Sequence, residues 1–333
     1  MAIRRIGLVA SVLLALLSVT GCATLVPSYG RDLKAAQARI ASGSQVADTP
    51  CGPIEYAERG DGPPVLVVHG AGGGFDQGLI IAAPLIKAGY RVIAVSRFGY
   101  LRTPLPPDAS PMAQADAYAC LLDALGLPQS DVLAASAGSP SALQFALRHP
   151  DRVKALVLLV PMLFAPPAEG TAPEKHAGGT TFVMDTVLRS DFLLWLGPHV
   201  SRGMVEKAMG TPPADVEHAS PDEQARVSVL MDQILPVEPR RDGLSNDMQI
   251  IASEPRYDLE QVAVPTLVLS TADDLFRSYP AALYTAVHIP KARFIGYTTG
   301  GHMMVGDEDD AMAAIMAFLG DGGRRDMARS GGR

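Results

Sequence analysis

Three residues of the sequence are of the types that together activate a hydroxyl group: Ser136, Asp274 and His302. A serine hydroxyl is a weak nucleophile at neutral pH, and it needs a neighbouring imidazole that accepts its proton. That imidazole in turn needs an acceptor that fixes its tautomer and orientation. Each of the three residues lies just beyond an apolar run that predicts a buried strand, and open α/β sheets build their sites at such strand ends. The sequence therefore predicts that the three side chains meet and transfer an acyl group to water.

The serine follows the apolar run 131–135 and is followed at once by a helical pattern. A sharp turn from strand to helix holds the serine in a strained backbone conformation with Oγ pushed out of the sheet, and only small neighbours fit there. Ala134, Ala137 and Gly138 meet this demand, although the usual G-x-S-x-G motif has a glycine where Ala134 stands. Residues 131–138 alone are equally compatible with an ordinary strand-to-helix turn. The interpretation of Ser136 as a nucleophile therefore depends on the rest of the chain.

A glycine-rich segment, residues 69–74, follows another predicted buried strand at 65–68. Such a segment lets the backbone come close to a phosphate or to an oxyanion. It lacks the lysine of a P-loop and the spacing of a dinucleotide-binding loop, and no acidic ribose ligand stands where that fingerprint requires one. The segment therefore favours an oxyanion.

The glycine-rich segment, the serine elbow and the chain order Ser, Asp, His resemble the α/β-hydrolase fold family of esterases and lipases. In that family one N–H group of the glycine-rich loop and the N–H group after the nucleophile bind the oxyanion. The resemblance implies that the donors here are Ala71, or alternatively Gly72, together with Ala137. His69 is expected to be a structural element of this loop.

The resemblance also distinguishes the two adjacent carboxylates after the predicted strand 265–270. Family spacing places the triad acid at Asp274, although Thr271 stands where the family has a glycine. Asp273 is expected to be solvated or to cap a turn. His302 follows a glycine pair, as the family's base does, and the other histidines are expected at the surface or in packing. These are His149, His176, His199, His218 and His288. Arg97 and Arg102 are expected at the surface, with a role at the site entrance as the alternative.

Apolar runs alternate with helical patterns along the chain, which predicts the α/β class with a mostly parallel sheet flanked by helices. By resemblance the fold is that of α/β-hydrolases, with a helical cap inserted over the pocket between the sixth and seventh strands. Ordinary core-packing helices are the alternative for this insertion. The predicted organisation is a signal peptide over 1–21, a lipidated tether over 22–50, the α/β-hydrolase core over 51–161 and 260–320, the helical cap over 162–259 and a disordered tail over 321–333.

The composition limits the class of ligand. The 333 residues carry a formal net charge of -7, and 48% of them are hydrophobic, enough for a large core. Binding to nucleic acid requires a clustered basic face, which the sequence lacks. We therefore expect a small-molecule substrate, an ester by the resemblance, no nucleic-acid partner, no metal and no cofactor.

The N-terminus has the layout of a secretory signal, with Arg4 and Arg5 before an apolar run too short to span a bilayer comfortably. Residues 19–22, Val-Thr-Gly-Cys, resemble the lipobox of bacterial lipoproteins, which implies cleavage before Cys22 and lipid attachment to its sulfur. The alternatives are an ordinary signal peptide and an uncleaved anchor helix. Because Ala23 rather than an aspartate follows, the resemblance favours the outer membrane, facing the periplasm. In that compartment Cys51 and Cys120 could pair, but the sequence leaves their state open.

Other functions are open on the same scaffold, since a fold does not fix a function. They are hydrolysis of a carbon–carbon bond, a cofactor-free perhydrolase activity and a non-catalytic binding role in the cell envelope. An aspartate nucleophile, as in dehalogenases or epoxide hydrolases, is disfavoured by Ser136 at the elbow. The sequence predicts neither the substrate's identity and acyl chain nor the cap state and oligomeric state.

Overall fold

One mostly parallel sheet forms the centre of the computed structural model, which describes residues 27–166, 188–253 and 255–320. The strands are β1 (Gln45–Thr49), β2 (Gly52–Arg59), β3 (Pro64–Val68), β4 (Arg91–Val95), β5 (Ser130–Ala135), β6 (Val153–Leu159), β7 (Thr266–Thr271) and β8 (Ala292–Tyr297). Their order across the sheet is β1-β2-β4-β3-β5-β6-β7-β8. The pairs β1–β2 and β2–β4 are antiparallel, and all the others are parallel. The predicted fold class is confirmed.

Helices cover both faces of the sheet. Those of the described residues are α1 (27–42), α2 (Phe75–Ile81), α3 (Ala83–Lys87), α4 (Pro111–Ala124), α5 (Ser139–Arg148), α6 (Asp191–Ala208), α7 (Pro213–His218), α8 (Pro221–Asp232), α9 (Arg241–Ala252), α10 (Ser278–His288) and α11 (Glu308–Gly320).

The central strands separate two apolar layers because successive side chains of a strand point to opposite faces. In β5, Val132 and Ala134 pack into the layer with α4, α5 and α10, whereas Leu133 and Ala135 pack into the layer with α2 and α11. All six residues of β5 and of β7 are buried, as expected for parallel strands covered on both faces. This double packing fixes the strand ends, which are where Ser136 and Asp274 emerge.

The predicted tether contains more structure than the sequence suggests. Residues 45–49 form edge strand β1, which pairs with β2. The sheet therefore begins within residues 22–50, the range predicted to be a tether. Helix α1 also packs on the body of the protein, since Ala36 is buried and Arg39 Nε lies 3.1 Å from Asp76 Oδ2. A tether is therefore wrong for residues 45–49, and the described helix before them is docked.

A disulfide bond joins Cys51 to Cys120, a pairing that the sequence leaves open. It links the turn between β1 and β2 to helix α4, across a sequence separation of 69 residues. It therefore ties the antiparallel edge of the sheet to a helix that covers one face.

Four helices, α6 to α9, occupy the described part of the insertion between β6 and β7. Within the described residues, no helix has the length and apolar character needed to cross a membrane. The predicted signal peptide, Cys22, the tail 321–333 and residues 167–187 of the predicted cap lie outside the described residues.

Candidate active site

The turn after β5 has the backbone geometry of a nucleophile elbow. Ser136 has a φ of 48°, in the left-handed region that non-glycine residues adopt only at a cost. The next turn of chain passes so close to β3 that a Cβ on Gly138 would lie 2.5 Å from the carbonyl oxygen of His69. Only glycine fits at position 138, and the serine is thereby held at the end of the strand with its side chain partly exposed.

The three residues singled out by their chemistry meet in one hydrogen-bonded chain. Nε2 of His302 lies 2.8 Å from Oγ of Ser136, and Nδ1 of the same ring lies 2.7 Å from Oδ2 of Asp274. With a proton on Nδ1 donated to the carboxylate, Nε2 is left to accept the serine proton. The imidazole is edge-to-face with Phe276, the ring centroids 4.8 Å apart. The arrangement can therefore take a proton from Ser136 and hold the resulting imidazolium beside a carboxylate.

The surroundings of Asp274 stabilise the ionised form of its carboxyl group. Burial by itself would raise its pKa, but the hydrogen bond and charge of His302 counteract this, and further donors assist. Those donors are the hydroxyl of Ser278 and the backbone N–H of Phe276, which lies 2.8 Å from Oδ1. The net result is a pKa of Asp274 below its ordinary value, so that the group is a carboxylate at neutral pH.

The adjacent Asp273 does not have the role that the sequence suggests. Its Oδ1 accepts the backbone N–H of Gly301 at 2.9 Å, directly before His302 along the chain. The expectation that Asp273 is solvated or caps a local turn is wrong in this respect, because its contact is with a loop 28 residues away. The side chain is half-buried and contacts the loop that carries His302.

The glycine-rich loop narrows the choice of oxyanion donors. The N–H of Gly72 donates to the Tyr100 hydroxyl at 3.2 Å, so it is already engaged. Of the two loop residues that the resemblance suggests, Ala71 is therefore the better candidate, and it lies in the exposed part of the loop. Ala137, the candidate on the other side, opens the first turn after Ser136. Both remain predictions.

His69 is a buried structural histidine, as expected. Its Nε2 accepts the backbone N–H of Arg97 at 3.0 Å, so its Nδ1 carries the proton and donates to the Gly70 carbonyl at 2.7 Å. Burial lowers the pKa of the His69 imidazole well below its ordinary value, and the nearby Arg97 charge adds to this effect. The neutral ring thus fixes the shape of the loop that it begins.

Arg97 is buried, which corrects the expectation that it lies at the surface. It forms two hydrogen bonds to Asp247, of 2.6 and 2.7 Å, and also donates to the carbonyl oxygens of His69 and Gly70. Burial by itself would lower the pKa of Arg97, but Asp247 more than compensates and raises it. The Tyr100 hydroxyl donates to the same carboxylate. Asp247 on α9 and Arg97 after β4 therefore join the insertion to the glycine-rich loop.

The second predicted surface arginine, Arg102, is partly exposed and lies 2.7 Å from Glu55 Oε1. It makes an ion pair with β2, and its described contacts do not involve Ser136, Asp274 or His302.

A cleft of about 480 Å³ lies between residues 105–111 and helix α9. Among the described residues that line it, Asp242 alone is charged, and the others are neutral polar or apolar groups. A small pocket shares Ala109 and Asn246 with this cleft and extends to Ala137. Within the described part of the chain, no group of three or more His, Cys, Asp or Glu residues is placed to hold a metal ion.

Comparison with known proteins agrees with this geometry. A sequence profile described as the alpha/beta hydrolase fold matches residues 63–309, well over half of the chain. The chain belongs to the α/β-hydrolase fold family. The match begins before β3 and ends after His302, so it includes the glycine-rich loop, the turn at Ser136 and the loops that carry Asp274 and His302.

Individual relatives are similar at modest identity. The chain is 39% identical over 107 residues to the uncharacterized hydrolase YcgS of Bacillus subtilis (strain 168), covering 32% of this chain and only 37% of that relative. It is 28% identical over 279 residues to the 2-hydroxy-6-oxononadienedioate/2-hydroxy-6-oxononatrienedioate hydrolase of Cupriavidus pinatubonensis, covering 77% of this chain and 86% of that relative. A solved α/β-hydrolase fold protein from Nakamurella multipartita is 30% identical, with a TM-score of 0.65 over 83% of this chain and 98% of that one. The chain is thus an enzyme of the hydrolase class.

Several residues around the site carry no signal in the sequence. Arg97 and Asp247 are 150 residues apart, and no motif or periodicity connects them. No motif or periodicity connects Gly210 to His302 either, yet the Gly210 carbonyl oxygen accepts the backbone N–H of His302 at 3.0 Å. These contacts exist because the insertion docks on the loops of the core, and docking partners cannot be deduced from spacing.

We predict that Asp247→Ala destabilises the protein by about 3–5 kcal/mol, because it leaves the buried Arg97 without its counter-charge. The measurement is urea unfolding followed by circular dichroism. Asp242→Ala, an exposed change on the same helix, is the control and should cost no more than about 1 kcal/mol. Equal losses in the two variants would contradict a structural role for the buried pair.

Proposed function

We propose that the protein is a serine hydrolase in which Ser136 is the nucleophile, His302 the general base and acid, and Asp274 the residue that orients the base. One observation carries the proposal, namely the continuous hydrogen-bonded chain from Asp274 through His302 to Ser136. The strained elbow supports it, since strain at a site is retained where function needs it.

In the proposed acylation step, Ser136 Oγ attacks the substrate carbonyl carbon while His302 Nε2 takes the hydroxyl proton. The negative charge that develops on the carbonyl oxygen is held by the backbone N–H groups of Ala71 and Ala137, whose individual loss typically costs about 10²–10³ in rate. His302 then gives the proton to the leaving alcohol, and an acyl-enzyme remains. Water, deprotonated by the same imidazole, attacks the acyl carbon and releases the carboxylic acid and Ser136.

The substrate that we propose first is a neutral carboxylic ester. The cleft is lined by neutral groups and one carboxylate among the described residues. The small pocket beside it reaches Ala137, the residue after Ser136, although Ser136 and His302 are not among its lining residues. The buried Arg97 that borders this pocket is neutralised by Asp247. With the lining that the described residues give this cleft, a neutral ester therefore enters it at a lower electrostatic cost than a dicarboxylate.

The second candidate is hydrolysis of a carbon–carbon bond, and it is favoured by the name of the Cupriavidus relative, a 2-hydroxy-6-oxononadienedioate hydrolase. The same triad could act on a ketone, since attack by Ser136 gives an equivalent oxyanion. Collapse would then break the bond to the neighbouring carbon, which takes up the proton that His302 accepted from Ser136. Water would release the acyl group from Ser136 as a carboxylic acid. The difference lies in the leaving group and in the negative charges of such a substrate.

The two candidates are separated by comparing kcat/KM for p-nitrophenyl esters of increasing chain length with kcat/KM for 2-hydroxy-6-oxononadienedioate. We expect the best ester to exceed the dienedioate at least about tenfold, and Ser136→Ala to lower its turnover by about 10⁴-fold or more with unchanged thermal unfolding. A reversed preference would establish the second candidate instead. Wild-type turnover in purified Ser136→Ala would contradict both.

We further propose that the protein is a lipoprotein of the bacterial cell envelope, anchored at Cys22 in the outer membrane and facing the periplasm. The lipobox-like residues 19–22 support this location. The disulfide between Cys51 and Cys120 also supports it, since such bonds persist in oxidising compartments and are rare in the cytosol.

We expect Cys22→Ser to abolish metabolic labelling with palmitate and to move the protein out of the membrane fraction. Stable anchoring takes more than one membrane-binding signal. Because Cys22→Ser removes the sulfur that carries the lipid, the protein should leave the membrane fraction. The matched control, Cys51→Ser with Cys120→Ser, should keep both the label and the membrane location. Label that persists in Cys22→Ser would refute the anchor.

A further inference from the structure

The loop that carries His302 combines two turn bonds of its own with contacts from other elements. In the turn, the N–H groups of Met304 and Val305 donate to the carbonyl oxygens of Gly301 and Gly300. Residues 300–303 contain two glycines in the left-handed region, with φ of 111° at Gly300 and 58° at Gly301. Glycine loses more backbone freedom on ordering than any other residue, so this stretch has little stiffness of its own. Yet His302 must keep its ring within hydrogen-bond distance of Ser136 and Asp274 at the same time.

Two of the four backbone N–H groups of this loop are accepted by the segment that follows α6. The N–H of His302 donates to the Gly210 carbonyl oxygen at 3.0 Å, and that of Met303 donates to the Thr211 hydroxyl at 3.0 Å. The packing is tight, since a Cβ on Gly301 would lie 2.5 Å from the Cα of Thr211. The insertion therefore lies directly on the base loop.

The other two N–H groups are accepted by carboxylates from two different elements. Gly300 N–H donates to Oδ2 of Asp215 on α7 at 3.2 Å, and Gly301 N–H donates to Oδ1 of Asp273 after β7 at 2.9 Å. Burial, and to a lesser extent the neighbouring carboxyl group of Asp273, raise the pKa of Asp215 above its ordinary value.

We propose that Asp215 and Asp273 form a pair of positioning residues that hold residues 300–303 so that His302 stays aligned between Asp274 and Ser136. The inference rests on the proposed function, because alignment of the base matters only if His302 is the base. Neither carboxyl group is part of the hydrogen-bonded chain itself. They act on the backbone before His302, one from the insertion and one from the residue preceding the triad acid.

The pair links two parts of the chain that the reaction needs at once. Asp273 is adjacent to Asp274, so any shift of the loop after β7 also moves the carboxylate that holds residues 300–303. Asp215 adds the position of α7 to the same constraint. A displacement of about 1 Å at a reacting group can cost about 10²-fold in rate, so modest loosening of this anchor should be measurable.

The test compares Asp215→Ala, Asp273→Ala, the double Ala variant and Asp215→Asn, with Asp61→Ala in an exposed turn as the control. The readouts are kcat and KM for an activated ester, the second-order rate of labelling by a fluorophosphonate, and thermal unfolding. A further readout is the low-field ¹H resonance of the His302 Nδ1–H, which reports the bond to Asp274 without any reaction.

We expect each Ala variant to lower kcat and the labelling rate together by about 10- to 100-fold, with KM changed by less than about threefold. The low-field resonance should broaden or vanish in the same variants. The double variant should lose much less than the product of the single losses, because both changes free one loop. Asp215→Asn should keep at least about a third of the labelling rate, since its amide oxygen can accept the Gly300 N–H as the carboxylate does.

Ala variants that melt at a lower temperature but are labelled at the wild-type rate would overturn the proposal and leave a purely structural role. An unchanged low-field resonance in these variants would overturn it as well. If the wild-type protein were not labelled at all, the proposed function would fail, and the resonance would still decide whether the pair holds His302.

Discussion

The structure depends on one constraint, the bond of a single imidazole to two partners that come from distant parts of the chain. Ser136 is 166 residues from His302, and Asp274 is 28 residues from it, yet both lie within 2.8 Å of the ring nitrogens. A parallel sheet satisfies this constraint because it brings the carboxyl ends of successive strands to one edge. The doubly covered strands β5 and β7 then fix where Ser136 and Asp274 leave the sheet.

The insertion between β6 and β7 takes part in this constraint at two places. On one side, Asp247 on α9 neutralises Arg97, which holds the carbonyl groups of the glycine-rich loop. On the other side, Gly210 accepts the N–H groups of both Leu275 and His302, so a single carbonyl bridges the acid loop and the base loop. The glycine-rich loop and the loop of His302 are therefore both anchored to the insertion, and displacement of its helices would disturb both.

The parts of the site that could be predicted from the sequence are those determined locally. The elbow at Ser136 is recognisable because its small neighbours follow from backbone sterics, and the glycine run 69–74 is recognisable by its freedom to approach a ligand. Edge strand β1 escaped prediction because its five residues, largely exposed, have no apolar face and so no periodic signal. The sequence predicts Arg97 at the surface because burial of a charge is unfavourable without a partner, and its partner Asp247 is 150 residues away. The contact of Asp273 with Gly301 likewise depends on how two loops meet, which spacing alone does not encode.

We propose that the hydrogen bonds from Asp274 through His302 to Ser136 make this one serine nucleophilic. The most direct measurement is mass spectrometry of peptides after reaction with a fluorophosphonate, in wild type and in His302→Ala. We expect a single covalent adduct on Ser136 in wild type, at one per chain, and no adduct in folded His302→Ala under the same conditions. An adduct on another serine, or equal modification of Ser136 without the imidazole, would contradict it.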